Sequence, residues 1–368
     1  MKKMKKILSL LLCAALVCGM LAGCTAPAED AVTESTPDSV VESVSDSVAE
    51  SEPDSEAESL PAEDIALFEG MEIRLGGMKG PTTMGMVKLL EDAEAGTTIN
   101  DYDFTLAAAA DELTPLLIQG KMDIAAVPVN LASVLYNKTE GALQMLAVNT
   151  LGVLYVVEKG GETVNSVADL KGKTIFATGK GTTPEYSLTY LLAQNGLTIG
   201  EDVTVEWKSE PTEVVSAMAT MDSAVAMLPQ PFVTVAGTQL EGLRVALDLT
   251  AEWNALDNGS SLVTGCLVVR REFAEANPEA VAAFLSEYAA STAYANTNPA
   301  ETSVMVEKYG IVKAPIAEKA LPKCNIVCLT GADMTAAAEG YLQVLFDQNP
   351  QAVGGKLPAE DFWYIQSK

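Results

Sequence analysis

The chain has 368 residues and a formal charge of −27, from 50 Asp and Glu against 23 Lys and Arg. It holds no histidine, which excludes a Ser-His-Asp or Cys-His catalytic pair and any histidine-containing metal site. The acid excess argues against a nucleic-acid partner, which is held mainly through Lys and Arg on phosphates.

The chain opens on Lys2, Lys3, Lys5 and Lys6, followed by an apolar run from Ile7 to Val17. Such a run is too short to span a membrane comfortably and reads as a secretory signal. It ends in Leu21-Ala22-Gly23-Cys24. Small residues before a cysteine resemble a bacterial lipobox, which implies that residues 1–23 are removed and that the Cys24 thiol takes a lipid. An ordinary signal peptide or a retained anchor helix is the alternative. Residues 24–64 read as a tether. From Thr25 to Asp64 there are thirteen Asp or Glu and no Lys or Arg, with serine throughout and Pro27, Pro37, Pro53 and Pro61. So little apolar surface cannot offset the entropy of ordering, and self-repulsion keeps the segment extended. Loss of the four leading lysines leaves 19 cations against 50 acids, a charge of −31.

The remainder, about 300 residues, suffices for more than one lobe. Ile73 to Gly76 reads as a strand, and Thr83 to Glu91 as a helix with Met84, Val87, Leu89 and Leu90 near one face. Tyr102 to Leu106 is strand-like. Asp111 can cap a helix to Gln119, which Gly120 ends. Asp123 to Val127 is a short strand, and Asn130 begins another helix. Met145 to Val148 and Leu151 to Val157 are further strands. The pattern then restarts, with a helical turn over Val167 to Lys173 and the strand Thr174 to Ala177. A helix runs from Thr183 to Gln194. Val203 to Trp207, Ala224 to Leu228, Arg244 to Leu247 and Leu262 to Val269 are strands, with a helix over Thr212 to Met221. The rest is mostly helical: Pro278 to Tyr294, Pro299 to Tyr309, Ala314 to Leu321 and Ala332 to Phe346, with a last strand over Asn325 to Leu329.

Strands alternating with helices predict an α/β protein with parallel-rich sheets covered on both faces. Two such units joined by two crossings predict two lobes with a cleft between them. The first lobe takes 65–157 and 258–368, and the second, 158–257, is inserted into it. Four cysteines remain after processing. Cys324 and Cys328 can pair in an exported protein or stay as free thiols, with Cys266 buried.

An approximate repeat carries the chemistry. The first strand leads into Met78-Lys79-Gly80-Pro81-Thr82-Thr83 and a helix. Strand Thr174 to Ala177 leads into Gly179-Lys180-Gly181-Thr182-Thr183-Pro184 and a helix. Each lobe thus sets Lys-Gly-x-Thr at the carboxyl end of a strand, where open α/β sheets bind ligands. Glycine lets backbone N–H groups approach closely, and a helix start leaves N–H donors unpaired. Facing each other, the loops would cradle a polar head such as a carboxylate or sulfonate. The candidate contacts are Lys79, Gly80, Thr82, Thr83, Gly181, Thr182 and Thr183. Asn130 and Gln230 follow other strands and offer donors and acceptors, as does the pair Asn149-Thr150 at the first crossing. Tyr186 lies one turn into the second-lobe helix and can wall the cleft. Trp253, near the return crossing, can be wall or core. The structural alternative makes the threonines N-caps of glycine turns.

These stretches resemble a known family. IRLGGMKGPTTMGMVKLL, LIQGKMDIAAVPVN and SVADLKGKTIFATGKGTTPEYSLTYLLAQNGL are similar to the solute-binding proteins for nitrate, sulfonates, taurine and thiamine-pyrimidine precursors, the NMT1/THI5-like group. The resemblance runs from Phe68 to the end. It implies a bilobed type 2 periplasmic-binding-protein fold, with contacts at Gly80 to Thr83, at Asn130 and at Gly181 to Thr183. The family's enzymatic branch uses a histidine and a cysteine-rich motif, and this chain has neither. Neither loop carries an arginine to mark a sulfonate.

The function expected is that of a non-enzymatic, extracytoplasmic solute-binding lipoprotein. It would sit as a monomer on the outer face of the cell membrane and deliver a small polar molecule to an ABC permease and its ATPase, with no cofactor. A sensor domain signalling through a membrane partner, a structural lipoprotein and an exported enzyme are the competing readings.

Overall fold

Short runs of β-branched and aliphatic residues between glycine and proline turns form the central strands, which are buried on both faces, while edge strands such as Asp101–Ala107 and Thr204–Trp207 expose alternate residues. The computed structural model describes residues 69–366. The expected signal, Cys24 and the expected tether lie outside the described residues. The strands are β1 (Glu72–Met78), β2 (Asp101–Ala107), β3 (Ile124–Pro128), β4 (Leu143–Leu151), β5 (Leu154–Lys159), β6 (Thr174–Ala177), β7 (Thr204–Trp207), β8 (Ala224–Pro229), β9 (Leu243–Asp248), β10 (Val263–Arg270) and β11 (Ile326–Leu329). They make two sheets, ordered β11-β4-β10-β3-β1-β2 and β7-β6-β8-β5-β9.

The two sheets share one plan. In each, three successive strands run parallel with the first lying between the second and third: β1 between β2 and β3, β6 between β7 and β8. In each, the third strand then pairs antiparallel with a strand that follows a crossing, β10 in the first lobe and β5 in the second. The registers match, since Gly265 lies opposite Pro128 and Leu154 opposite Pro229. The sheets are therefore mixed, because each crossing strand enters from the other lobe and runs against its neighbours. The Lys-Gly-x-Thr repeat follows β1 and β6, the topologically equivalent strands.

One expected boundary moves. The apolar run Leu151 to Val157 was expected to stay whole in the first lobe, but Leu154–Lys159 pairs in the second sheet. The crossing falls at Gly152, where an added Cβ would lie 2.1 Å from Thr250 Oγ1. The expected helix from Thr83 to Glu91 is also divided, into Pro81–Met84 and Val87–Glu94. Ser291 causes the break. Its Oγ donates to the Gly85 carbonyl (2.6 Å) and accepts from the Leu89 amide (3.0 Å), so a hydroxyl stands between an i, i+4 pair. Helices Phe232–Gln239 and Leu249–Asn254 had no counterpart in the sequence reading.

The core alternates by residue along β3. Ile124 and Ala126 face one cluster, while Ala125 and Val127 face another that also takes Val156, Ile175 and Met227 from the second sheet. The two lobes thus share a continuous core. Cys266, Cys324 and Cys328 are all free thiols, so the Cys324–Cys328 pairing is not formed. The Cys324 Sγ donates instead to the Ala320 carbonyl at 3.2 Å. Among the described residues no helix is long and apolar enough to cross a membrane.

A buried carboxylate braces the second lobe. Glu158 accepts from the Thr163 amide (3.0 Å), the Val164 amide (3.2 Å) and Arg244 Nη2 (2.6 Å). Burial alone would push its carboxyl up, but these donors outweigh it and hold it at about 2. An unfolded glutamate titrates near ~4.3. The stabilisation is complete above that value and is lost as pH falls toward 2. Urea unfolding at pH 7 and pH 2.5 should differ by about 2 kcal/mol through this group, and Glu158→Gln should remove that part of the pH dependence.

Candidate functional site

Both glycine loops close on themselves before they offer anything outward. In the first, Gly80 has φ 153° and ψ −169°, a conformation restricted to glycine. The Thr83 hydroxyl donates to the Met78 carbonyl at 2.6 Å and is fully buried, so it staples the turn. In the second loop, Gly179 and Gly181 are left-handed, at φ 83° and 76°. The Thr182 hydroxyl donates back to the Gly179 carbonyl at 2.8 Å and makes no bond to a helix amide. The Gly181 amide donates to the Glu185 carboxylate. Thr83, Thr182 and Gly181 are thus engaged within their own loops. Lys79 and Lys180 are exposed.

The other threonine of each loop faces away from its turn. Thr82 is buried beside the returning strand, and its carbonyl accepts from Asn149 Nδ2 at 3.0 Å. Its methyl group sits where a side chain on Gly265 would be, 2.5 Å from that position. Thr183, fully buried, crosses between the lobes. Its amide donates to Asn130 Oδ1 at 3.1 Å and its hydroxyl to the same oxygen at 3.3 Å. Asn130 Nδ2 donates to the Ala352 carbonyl at 3.2 Å. The structure therefore joins Asn130 directly to Thr183. Thr82 lies one strand away, across Gly265 and its partner Pro128.

The remaining candidates divide. Tyr186 is half-buried against the shared core, and burial, then the Glu185 carboxylate, push its hydroxyl above the usual range. Gln230 is buried. Its amide donates to the Val153 carbonyl at 3.0 Å, and its Oε1 accepts from the Thr234 hydroxyl at 2.9 Å. It braces the first crossing. Trp253 is fully buried core.

Two residues of the seam were not found from the sequence. Ser187 Oγ and Tyr341 Oη lie 2.8 Å apart, both fully buried, and tie the second-lobe helix to the last long helix, Gly331–Gln348. Ser187 is four residues after Thr183, so the two share one helix face, which was readable. Nothing in the local sequence of Tyr341 points to the other lobe. Tyr341 also lies 5.3 Å from the Trp253 ring centroid, and Trp253 lies 4.8 Å from Tyr190. Burial pushes the Tyr341 hydroxyl well above its usual range, so it does not ionise near neutrality. The seam offers neutral hydroxyl, carboxamide and amide groups, suited to hydrogen bonding. Among the described residues no three Cys, Asp or Glu gather as a metal site requires.

Gly265 holds this arrangement together. A Cβ there would lie 2.5 Å from Thr82 Cγ2 and 2.8 Å from Asn149 Oδ1. Gly265→Ala should destabilise by about 1–3 kcal/mol in urea unfolding, because the Thr82 loop must shift. Gly237→Ala is the control. It lies within helix Phe232–Gln239 with nothing within 4 Å of an added Cβ, and should stabilise by about 0.5–1 kcal/mol.

Solved structures share this fold. An ABC transporter protein from Parabacteroides distasonis is 24% identical, with a TM-score of 0.67 over 80% of this chain and 99% of its own. The periplasmic aliphatic sulphonate binding protein SsuA of Escherichia coli is 18% identical, with a TM-score of 0.66 over 81% of this chain and 93% of its own. The alkanesulfonate-binding protein SsuA from Xanthomonas axonopodis pv. citri, bound to MOPS, is 17% identical, with a TM-score of 0.63 over 79% and 98%. No curated protein matches the sequence. The model of a family described as NMT1/THI5 like matches residues 101–302, more than half of the chain, and the protein belongs to that family.

Proposed function

We propose that the protein is an extracytoplasmic solute-binding lipoprotein that captures a small polar organic molecule between its lobes and presents it to an ABC importer. The bond from Thr183 to Asn130 carries this reading, because it sets a second-lobe helix start against the start of a first-lobe helix. That helix start supplies donors and a partial positive charge, so the complementary ligand group is a hydrogen-bond acceptor. A ligand touching Thr82, Asn130 and Thr183 would contact both lobes and favour their closed arrangement. Lys79 and Lys180, exposed at equivalent strand ends, would favour entry of an anion into an otherwise acidic protein. Lipidation at Cys24 would keep the protein at the outer membrane face. Family membership and a fold shared with ABC-transporter binding proteins support the assignment.

A thermal-shift screen against sulfonates, pyrimidines, vitamins and amino-acid derivatives tests it. A ligand at a hundred times its Kd should stabilise the protein by about 2.7 kcal/mol. Thr82→Val and Thr183→Val should each weaken that ligand about fivefold to tenfold without unfolding the protein. Unchanged affinity in both variants would remove the two loops from the site.

A further inference from the structure

We propose that the lobes carry their own polar fastening, in which Asn130 stands in for a ligand's acceptor at the start of helix Thr183–Gln194, and that this fastening sets the balance between open and closed lobes. The inference rests on the hinged-lobe reading above and adds a control of the same site.

The chemistry of the partners fixes the orientation of the Asn130 carboxamide. The Ala352 carbonyl can only accept, so it takes the Nδ2 end, at 3.2 Å. The Thr183 amide can only donate, so it takes the Oδ1 end, at 3.1 Å. Ala352 belongs to a C-terminal strap whose Val353 carbonyl also accepts from Ser133 (2.9 Å) and Asn137 (2.8 Å) on the helix that carries Asn130. The strap thus holds the carboxamide in place before the second lobe arrives. One face of that helix start then meets a preset oxygen, and one turn later Ser187 meets Tyr341 at 2.8 Å.

Both contacts are dry. Thr183, Ser187 and Tyr341 are fully buried and Asn130 is 2% exposed. Opening the lobes would expose the Thr183 amide and hydroxyl, Asn130 Oδ1 and the Ser187 and Tyr341 hydroxyls, which are bonded to one another across the seam. These groups recover water when the seam opens, so the fastening is reversible and moderate in strength. A ligand acceptor entering at Thr183 replaces Asn130 Oδ1 at one donor instead of filling an unpaired one. The fastening therefore lowers the gain from a weak acceptor and leaves the Ser187–Tyr341 contact to hold the closed arrangement.

Hydrogen–deuterium exchange by mass spectrometry on the full chain, with no ligand added, tests this. In Asn130→Ala, exchange should rise about tenfold in peptides on both sides of the seam, covering 183–188 and 338–345, while β1 stays protected. Tyr341→Phe, which keeps the ring and removes the other cross-lobe partner, should raise the same two regions. A rise confined to the Thr183 amide would reduce Asn130 to a local cap and overturn the proposal. A uniform rise in Asn130→Ala would mean general destabilisation, and Tyr341→Phe then decides, with unchanged exchange at both sides overturning it. Failure of the ligand screen would leave this readout intact, and failure here would leave the screen intact.

Discussion

Trp253→Ala is expected to lower the unfolding free energy by about 3–5 kcal/mol, the range for truncating a fully buried large aromatic residue. Trp253 is 0% exposed and joins three parts of the molecule. Its ring lies 4.8 Å from Tyr190 on the second-lobe helix and 5.3 Å from Tyr341 on the first-lobe helix. Its Nε1 donates to Ser260 Oγ at 3.0 Å, on the segment that returns to the first lobe. Removing the indole leaves a cavity at the seam and takes one donor from the Ser260 hydroxyl, which keeps its own bond to Asn258 Oδ1. The Gly331–Gln348 helix already lies close to this segment, since a Cβ added at Gly340 would sit 3.2 Å from Ser260 Cβ, so the helix has little room to collapse inward. The lost packing should therefore appear almost whole in urea unfolding. Trp253→Phe retains most of the contact and should cost clearly less. Equal losses in the two variants would mean that the Ser260 bond, not the packing, carries the effect.

Asp123→Ala should cost about 3 kcal/mol, the lower part of the range for breaking a buried ion pair, since both arginines can reach water. Asp123 is 2% exposed, whereas Arg74 is 36% and Arg270 17% exposed. Its carboxylate accepts from the Arg74 amide (3.1 Å), Arg74 Nε (2.8 Å) and Arg270 Nη2 (3.0 Å). One side chain thus ties β1, β3 and β10 at the end of the sheet opposite the loops. Burial would raise its carboxyl, but the two arginines outweigh it and hold it below the usual range. Its stabilisation is present above the unfolded value near ~3.9 and is lost as pH falls through the lower folded value. Asp123→Asn should flatten the stability profile below pH 4 while losing less at pH 7 than Asp123→Ala. Unfolding in urea across pH 2.5–7 separates these outcomes.

Much of the architecture was legible because local signals agreed with the global plan. The helix from Thr183 to Gln194 is opened by a glycine loop and a proline, closed by Asn195-Gly196, and found with those bounds. The repeated Lys-Gly-x-Thr marked equivalent strands, although it did not show which threonine of each pair looks outward. That depends on turn closure: Thr83 turns back to Met78, and Thr182 to Gly179. Distant partners hid the rest. The break at Gly85 is made by Ser291, two hundred and six residues away. The expected boundary after Val157 lies beyond the crossing at Gly152, because Leu151 to Val157 is uniformly apolar and Gly152 is marked only by Thr250, which an added Cβ would strike. Asn130 was read as a cap or contact, but Pro128 takes the N-cap position and Asn130 spans the lobes.

A crystal structure of the protein with the tightest ligand from the screen tests the central claim most directly. The ligand should lie in the gap between the lobes, with an acceptor atom within hydrogen-bond distance of the Thr183 amide. A ligand seated elsewhere on the surface, with Thr183 still bonded to Asn130 and the lobes unmoved, would contradict the account.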